Sequence, residues 1–222
     1  MRGRAGAGGR RPGYGLAFPA AARPVPRLVP VTDFFAGDPR TNRERMLAGD
    51  LYIADDPELA AALERAALLS HRYGELYPTD YEAARLVLQD LLGSVAPDAH
   101  IRPPLYVDYG SHITVGPGTF ANYGLTALDV APITIGADVQ IGPHVQLLTP
   151  THPLDPERRR AKLEAAAPIV IGDNVWLGGG AIVLAGVTVG ADSVIGAGSV
   201  VTKDIPENVV AMGTPAKVVR HL

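Results

Sequence analysis

Aliphatic residues recur every six positions along the second half of the chain. They form two blocks separated by 24 positions, from Leu147 to Ile171. Because 24 is four periods of six, both blocks have the same phase. The members are Ile135, Ile141, Leu147, Ile171, Leu177, Val183, Val189, Ile195 and Val201. Glycine mostly follows each aliphatic, and the fourth position after it is small or β-branched: Gly136, Gly142, Gly172, Gly178, Gly190, Gly196, then Val139, Val145, Val175, Ala181, Val187, Ser193 and Ser199. Neither a helix nor a meander of strands would hold these columns in phase over about 70 residues.

Each six-residue unit is expected to supply one short strand and one turn of a triangular prism. The aliphatic residue points inward, the small residue packs at the corner, and glycine permits a turn with φ > 0. Three units close a coil of about 18 residues, and coils stack at about the 4.8 Å spacing of paired strands. The pattern predicts a mainly β fold, a left-handed parallel β-helix over residues 99–222. Upstream, Ile101, Val107 and Ile113 keep the spacing in a different phase.

Residues 41–98 carry a helical period instead and are predicted to form a cap over one end of the prism. A short helix in "TNRERMLAGDLY" should end at Gly49, and Asp56 before Pro57 has the form of an N-cap. Thr79 or Asp80 should cap a further helix. The residues predicted to be buried on the two longer helices are Leu59, Leu63, Ala66, Ala67, Leu86, Leu88 and Leu91.

The N-terminal segment, residues 1–40, differs in charge and composition from the rest of the chain. It holds seven Arg and two Asp, a net +5, so the remainder carries -8 of the total of -3. Rich in Gly, Ala, Pro and Arg and without periodicity, residues 1–40 are predicted to be a disordered extension. Two alternatives stay open, a twin-arginine export signal in "GRRPGYGLAF" and an arginine-rich arm for nucleic acid. Prolines interrupt the apolar segment that an export signal needs, and Lys and Arg are too thinly clustered for a nucleic-acid arm. Both features favour a disordered extension, and no nucleic-acid partner is expected.

Cysteine is absent, which excludes disulfides, thiolate zinc sites and a cysteine nucleophile. The sequence has no apolar run of 18 or more residues, so no membrane span is expected. Together these features favour a cytoplasmic protein.

The stretch "TPTHPLDPERRR", residues 149–160, interrupts the period. Residues 148–167 are therefore predicted to leave the prism as an extruded loop carrying His152. Histidine titrates near neutral pH and can remove the proton of an alcohol during attack. Without the surrounding repeat, the favoured interpretation of His152 would be a loop residue that only turns the chain before Pro153.

Several stretches together resemble one known family. They are "MLAGDLY", "VDYGSHITVGPGTFANYGLTALDVAPITIG", "THPLDPERR" and "PIVIGDNVWLGGGAIVLAGVTVGADSVIGAGSVVTKDIPENVVAMGTPAKVVR". From about residue 41 to 222 the chain resembles the maltose and galactoside O-acetyltransferases of the hexapeptide-repeat, left-handed β-helix superfamily. The resemblance implies acetyl transfer from acetyl-CoA to a sugar hydroxyl, a homotrimer with sites between subunits, and His152 as the catalytic base.

The acceptor residues implied by the resemblance are Asp108, Asn122, Asp129 and Glu164. Each of the first three could instead satisfy the backbone of a turn. Two departures argue against galactosides: Phe120 stands where galactoside enzymes have tyrosine, and Ala54 occupies the position of an early aspartate. "LDV", "THPLDP" and Glu164 in "KLE" are closer to the maltose branch, although the aromatic residue usual after that glutamate is Ala165. A maltose- or glucose-like acceptor is therefore expected.

The resemblance also implies an acetyl-CoA site in the groove between adjacent prisms. Trp176 would pack against pantetheine or the subunit interface, and a backbone N–H at Gly179 could polarise the thioester carbonyl. The full set of expected cofactor residues is Trp176, Gly179, Ala197, Thr202, Lys203, Lys217 and Arg220. The cations among them would meet the CoA phosphates.

Rival functions have weaker support in the sequence. A carbonic anhydrase on the same prism needs three histidines on zinc; His144 and His152 are eight apart, and no third histidine has a suitable spacing. A non-catalytic β-helix would not need the loop with His152. Within acetyltransferases, a xenobiotic, an oligosaccharide signal or an amino acid could be the acceptor. The absence of cysteine favours direct transfer in a ternary complex, although composition does not exclude a serine-linked intermediate. The resemblance implies a sugar acceptor, a histidine base and no metal.

Overall fold

The computed structural model describes residues 34–222. The chain divides into two units, Met1–Asp38 and Pro39–Leu222. Of the first unit only Phe34–Asp38 is described, a turn in which the Asp38 amide donates to the Phe35 carbonyl. The extension predicted over residues 1–40 therefore lies, up to residue 33, outside the described residues.

The second unit has four helices and 20 strands. The helices are α1 Asn42–Leu47, α2 Pro57–Leu76, α3 Tyr81–Leu91 and α4 Pro156–Arg160. The strands are β1 Tyr52–Ile53, β2 Ser94–Val95, β3 His100–Ile101, β4 Leu105–Val107, β5 Ile113–Val115, β6 Phe120–Ala121, β7 Leu125–Leu128, β8 Ile133–Ile135, β9 Gln140–Ile141, β10 Gln146–Leu148, β11 Pro150–Thr151, β12 Leu163–Ala166, β13 Ile169–Ile171, β14 Trp176–Leu177, β15 Ile182–Leu184, β16 Thr188–Val189, β17 Val194–Ile195, β18 Val200–Val201, β19 Val209–Gly213 and β20 Ala216–His221.

Three parallel sheets form the faces of a solenoid, which confirms the predicted β-helix. Face 1 is β2-β5-β8-β13-β16, face 2 is β3-β6-β9-β14-β17-β19-β20, and face 3 is β4-β7-β10-β15-β18. Only the β19–β20 pair in these sheets is antiparallel. The chain passes from face 1 to face 2 to face 3 and then back to face 1. Each coil therefore has one corner between faces 2 and 3, called corner 2/3, and one between faces 3 and 1, called corner 3/1. All nine aliphatic residues of the six-residue column are buried.

Coil length changes along the prism. On face 2, Ile101 pairs with Ala121 in the early coils, whereas Leu177 pairs with Ile195 in the late coils. The separation in sequence between paired residues is therefore two positions longer in the early coils. The two extra residues of the early coils lie at corner 3/1, after Val107 and after Ala127. The predicted coil of three regular repeat units was therefore wrong for these coils, and the insertions explain the different phase of the upstream aliphatics.

The glycines after the inward aliphatics do not make the turns. A Cβ atom at Gly178 would lie 2.5 Å from the backbone nitrogen of Ala197 in the next coil. Positive φ occurs two residues later in each unit, as at Gly180 (69°) and Asp192 (60°). The prediction that the first glycines supply φ > 0 was wrong. They are required because stacked backbones approach too closely for a side chain.

Helices α2 and α3 pack on the first coil. The Tyr73 hydroxyl donates to the Ile101 carbonyl, and the Arg85 guanidinium donates to the Ala99 carbonyl at 2.8 Å. Buried side chains of both helices join the same hydrophobic core as the prism. The cap is therefore continuous with the β-helix, whose first strand begins at Ser94, inside the segment predicted as cap.

The predicted helix caps are present, but the predicted buried faces were partly wrong. Asp56 and Asp80 accept hydrogen bonds from backbone amides at the starts of α2 and α3. Leu63 is 37% exposed and Leu86 is 67% exposed, and Ala67 is also exposed. The core contacts only a narrow stripe of each helix, which on α2 follows the seven-residue spacing of Leu59, Ala66 and Tyr73.

The chain leaves the prism between β10 and β13 as the predicted extruded loop, although the predicted first residue, Leu148, still pairs within face 3. Strands β11 and β12 form a hairpin around α4, and β12 pairs antiparallel with β1 from the segment before α2. The small sheet β1-β12-β11 thus joins the N-terminal segment to the loop. Across residues 34–222 no helix has the length and apolarity that a membrane span requires.

Candidate active site

Corner 3/1 gathers acidic and aromatic side chains around His152. Asp108 and Asp129 occupy the two-residue insertions of the early coils, and Glu164 lies on β12 of the loop. The negative charges of Asp129 and Glu164 add to the effect of burial and raise the pKa of the Asp108 carboxyl. Both carboxylates therefore lie close to Asp108. Extra chain length at this corner therefore coincides with the polar cluster.

His152 faces Glu164. Its Nδ1 atom lies 3.7 Å from Glu164 Oε1, and the histidine side chain is 56% exposed while the glutamate is 21% exposed. The other carboxylate oxygen, Oε2, accepts a hydrogen bond of 2.7 Å from the hydroxyl of Tyr52. This arrangement directs Nδ1 toward the carboxylate and leaves Nε2 for a ligand.

Of the two roles left open for Asp129, a lining of the acceptor pocket and a contact to a turn backbone, the contacts in the structure correspond to the second. Its side chain is fully buried, and its carboxylate accepts backbone amide hydrogen bonds from Asp108 (3.1 Å), Tyr109 (2.8 Å) and His112 (3.1 Å). The His112 ring also contacts the Asp129 carbonyl at 2.7 Å. Asp129 therefore holds the turn that presents Asp108.

The Asp108 carboxyl has a raised pKa. Burial, followed by the negative charges of Asp129 and Glu164, raises its pKa from 3.8 to about 6. The same environment raises the pKa of the Tyr52 and Tyr109 phenols above their ordinary value, with burial as the largest cause. These phenols remain protonated, so they can donate hydrogen bonds across the working pH range.

Replacing Asp108 with asparagine should stabilise the protein near neutral pH. Between pH 3.8 and about 6 the folded chain retains a proton that the unfolded chain releases, so stability falls as pH rises through this window. Above the window Asp108→Asn should gain roughly 1–2 kcal/mol, discounted for partial exposure, and the gain should vanish near about pH 4. Thermal unfolding at both pH values measures it.

The exposed Asp98 offers a matched control for this prediction, because Asp98→Asn removes a carboxylate outside the cluster. A gain of equal size at both pH values, or the same gain in the control, would contradict the assignment of the effect to Asp108.

Asn122 lies at a different corner from His152. It follows β6 at corner 2/3, where its side-chain oxygen accepts from the Tyr123 amide at 2.8 Å. Beside it, the Arg102 guanidinium lies 5.2 Å from the Phe120 ring centre and 5.0 Å from that of Tyr123. Within a single chain, Asn122 is therefore not part of the polar cluster around His152.

The expected cofactor residues lie on face 2 and at both named corners. Trp176, 56% exposed on face 2, lines a groove of about 600 Å³ with Met212 and Arg220. Gly179 and Ala197 stack at corner 2/3, and within residues 34–222 their amides donate to no protein acceptor. The remaining three residues are exposed: Thr202 and Lys203 follow β18 at corner 3/1, and Lys217 lies on β20.

Sequence reasoning missed two residues of the cluster, Tyr52 and Tyr109. Both are buried beside the carboxylates and pack in one small hydrophobic cluster. A signal for Tyr52 was available, since it ends the "MLAGDLY" stretch. His144 lies at corner 2/3 and His152 at corner 3/1, and residues 34–222 contain no group of three or more potential metal ligands.

Two family models match the chain. The maltose acetyltransferase hexapeptide capping motif matches residues 45–96, and six repeats of the bacterial transferase hexapeptide match residues 168–203. Nodulation protein L of Rhizobium meliloti (strain 1021) is 48% identical over 179 residues, covering 81% of this chain and 98% of that protein. Galactoside O-acetyltransferase of Escherichia coli (strain K12) is 39% identical over 179 residues, covering 81% and 88%.

Solved structures show the same likeness. A maltose O-acetyltransferase from Clostridium difficile 630 superposes with a TM-score of 0.81 at 42% identity, covering 82% of this chain and 98% of that one. A hexapeptide-repeat acetyltransferase of Vibrio cholerae, complexed with acetyl coenzyme A, superposes with a TM-score of 0.76 at 37% identity, covering 82% and 99%.

Proposed function

Because this chain belongs to the maltose and galactoside O-acetyltransferase family and is an acetyl-CoA-dependent O-acetyltransferase, we propose that it acetylates a hydroxyl of a maltose- or glucose-like sugar, with His152 as general base. The observation that carries the proposal is the pairing of a half-exposed His152 with Glu164 beside Asp108. An alcohol needs such a base, because its hydroxyl is a weak nucleophile until the proton leaves.

In the proposed reaction, Nε2 of His152 removes the proton as the acceptor oxygen attacks the thioester carbonyl carbon. The Glu164 carboxylate stabilises the imidazolium that forms. The new C–O bond gives a tetrahedral intermediate, whose C–S bond then breaks, and the imidazolium returns the proton to the departing thiolate. The chain contains no cysteine, which supports this direct transfer over a cysteine-linked intermediate.

Backbone amides at corner 2/3 suit the charge that develops on the carbonyl oxygen. The N–H groups of Gly179 and Ala197 have no protein acceptor within residues 34–222. A preorganised amide is an effective oxyanion donor, because it needs no reorganisation when the charge appears. We assign this role to Gly179, with Trp176 beside the pantetheine arm and the exposed Lys203, Lys217 and Arg220 near the phosphates.

These roles require more than one copy of the chain. His152, Glu164 and Asp108 lie at corner 3/1, whereas Asn122 and Gly179 lie at corner 2/3. A cyclic assembly can set corner 3/1 of one prism against corner 2/3 of the next. We therefore propose a homotrimer with three shared sites. The absence of cysteine and the use of acetyl-CoA support a cytoplasmic location.

An acceptor screen tests the substrate class. Release of CoA thiol from acetyl-CoA can be followed directly with a thiol reagent, because the protein contributes no thiol of its own. We expect glucose and maltose to give the highest kcat/KM in a panel that includes a galactoside, a chito-oligosaccharide, chloramphenicol and serine. A preference for the oligosaccharide would favour the oligosaccharide-signal alternative, and a preference for any other compound would refute the sugar assignment.

A further inference from the structure

The "MLAGDLY" stretch delivers one side chain to the active-site loop. Helix α1 ends at Leu47, and Gly49 with φ of 77° turns the chain toward β1. The Asp50 amide then donates to the Arg45 carbonyl at 3.0 Å, and β1 places Tyr52 directly opposite Glu164 of β12. Since paired residues of an antiparallel ladder present their side chains on the same face, this register fixes which residue meets Glu164.

Tyr52 is held rigidly against the glutamate. Only 1% of its surface is exposed, and its hydroxyl donates to Glu164 Oε2 at 2.7 Å. The two-residue pairing is extended by hydrogen bonds from the Ile53 amide to the Asn42 side chain (3.0 Å) and from the Ala54 amide to the Lys162 carbonyl (3.1 Å). The phenol can act only as donor to this carboxylate, because ionising it beside Glu164 in a buried position is unfavourable.

His152, by contrast, has little to orient it. Its side chain is 56% exposed, and within residues 34–222 its one ionic or hydrogen-bonding partner is Glu164. The direction of the imidazole therefore depends on where the Glu164 carboxylate points. With Oε2 fixed by Tyr52, Oε1 remains directed at Nδ1 of His152.

We propose that Tyr52 is a positioning residue for acetyl transfer: its hydroxyl fixes the Glu164 carboxylate, and the carboxylate in turn orients His152 with Nδ1 protonated and Nε2 free to accept the acceptor proton. This role rests on the proposed function of His152. It also assigns a function to the segment before α2, which lies 112 residues from Glu164 in sequence.

The test removes the hydroxyl and keeps the ring. Tyr52→Phe should lower kcat roughly 10- to 100-fold, part of the 10²–10⁴ that a well-placed general base supplies. The KM for acetyl-CoA should stay within about twofold, because the Tyr52 hydroxyl bonds to Glu164, which is assigned to the base and not to the cofactor. Tyr73→Phe is the matched control, because Tyr73 is also buried and also donates its hydroxyl to a single acceptor, at the cap. It should lower the thermal midpoint without lowering kcat.

A second comparison separates positioning from a general loss of stability. If Tyr52 acts through Glu164, then Tyr52→Phe should lower kcat less than about twofold further once Glu164→Gln is present. Effects on kcat that multiply in the double variant, or a kcat for Tyr52→Phe equal to wild type, would overturn the proposal. Should His152→Ala itself retain wild-type kcat, the proposed function fails; loss of activity in His152→Ala with an unaffected Tyr52→Phe refutes only the positioning role.

Discussion

Replacing His152 with alanine is expected to lower kcat at least about 100-fold, the usual contribution of a general base. The folded structure should persist, because the side chain is more than half exposed and its removal opens no cavity in the core. Acetyl-CoA affinity should also persist, since Trp176 and Arg220 line a groove on face 2. Steady-state kinetics and acetyl-CoA titration would measure both quantities.

Two controls make this result specific. His71→Ala removes another exposed histidine, one that also pairs with a glutamate, Glu75 at 3.4 Å, but lies on α2. Its kcat should equal that of wild type. Added imidazole should partly restore His152→Ala, because the vacated position is open to solvent. A His152→Ala protein with near wild-type kcat would rule out the assignment of the base.

Mixed assemblies of His152→Ala and Asn122→Ala are expected to recover activity. Each variant alone should be inactive, because the first lacks the proposed base and the second lacks the acceptor contact implied for Asn122. In His152→Ala the corner 2/3 residues are intact, and in Asn122→Ala the corner 3/1 residues are intact. If each site joins corner 3/1 of one chain to corner 2/3 of its neighbour, every mixed trimer contains one complete site. Purification through two tags leaves only mixed trimers, each with one complete site of three, so about a third of wild-type activity should return.

The control mixes two variants whose substitutions lie at the same corner. His152→Ala mixed with Glu164→Gln should recover nothing, because both residues must come from one chain. Both mixtures should be produced by co-expression and purified through two different tags, with the trimeric mass checked by sedimentation. Equal recovery in the two mixtures, no recovery in the first, or a fully active monomer in dilute solution would each contradict shared sites.

The local shape of the site follows from a small irregularity in the prism. Coils of three regular repeat units leave a tight corner after each strand of face 3, whereas the two early coils carry two extra residues there. Asp129 lies in one insertion and uses its buried carboxylate to hold the other, which contains Asp108. The regular repeats supply a rigid scaffold, and the insertions supply the functional groups.

Much of the architecture could be determined from the sequence because the β-helix is built from local repeats. Buried aliphatics at a spacing of six predicted the stacked strands, and the break in that spacing predicted the extruded loop. Two helix starts were predicted from Asp56 and from Thr79 or Asp80. Each of these signals depends on residues within a few positions of one another, so a single sequence displays it. His152 was identified in the same way, as a polar interruption of a regular column.

Only the tertiary structure decided which distant residues meet. The hydrogen bond from Tyr52 to Glu164 joins positions 112 residues apart through two-residue strands, too short to leave a recognisable pattern. The stacking role of glycines such as Gly178 likewise depends on the backbone of the next coil rather than on the local turn. For Asp129 the resemblance implied an acceptor contact and left a turn-backbone role open, and in the structure three backbone amides donate to its carboxylate. Periodicity in the sequence specifies the repeating core, whereas the environment of a single polar side chain is set by neighbours that the fold alone brings together.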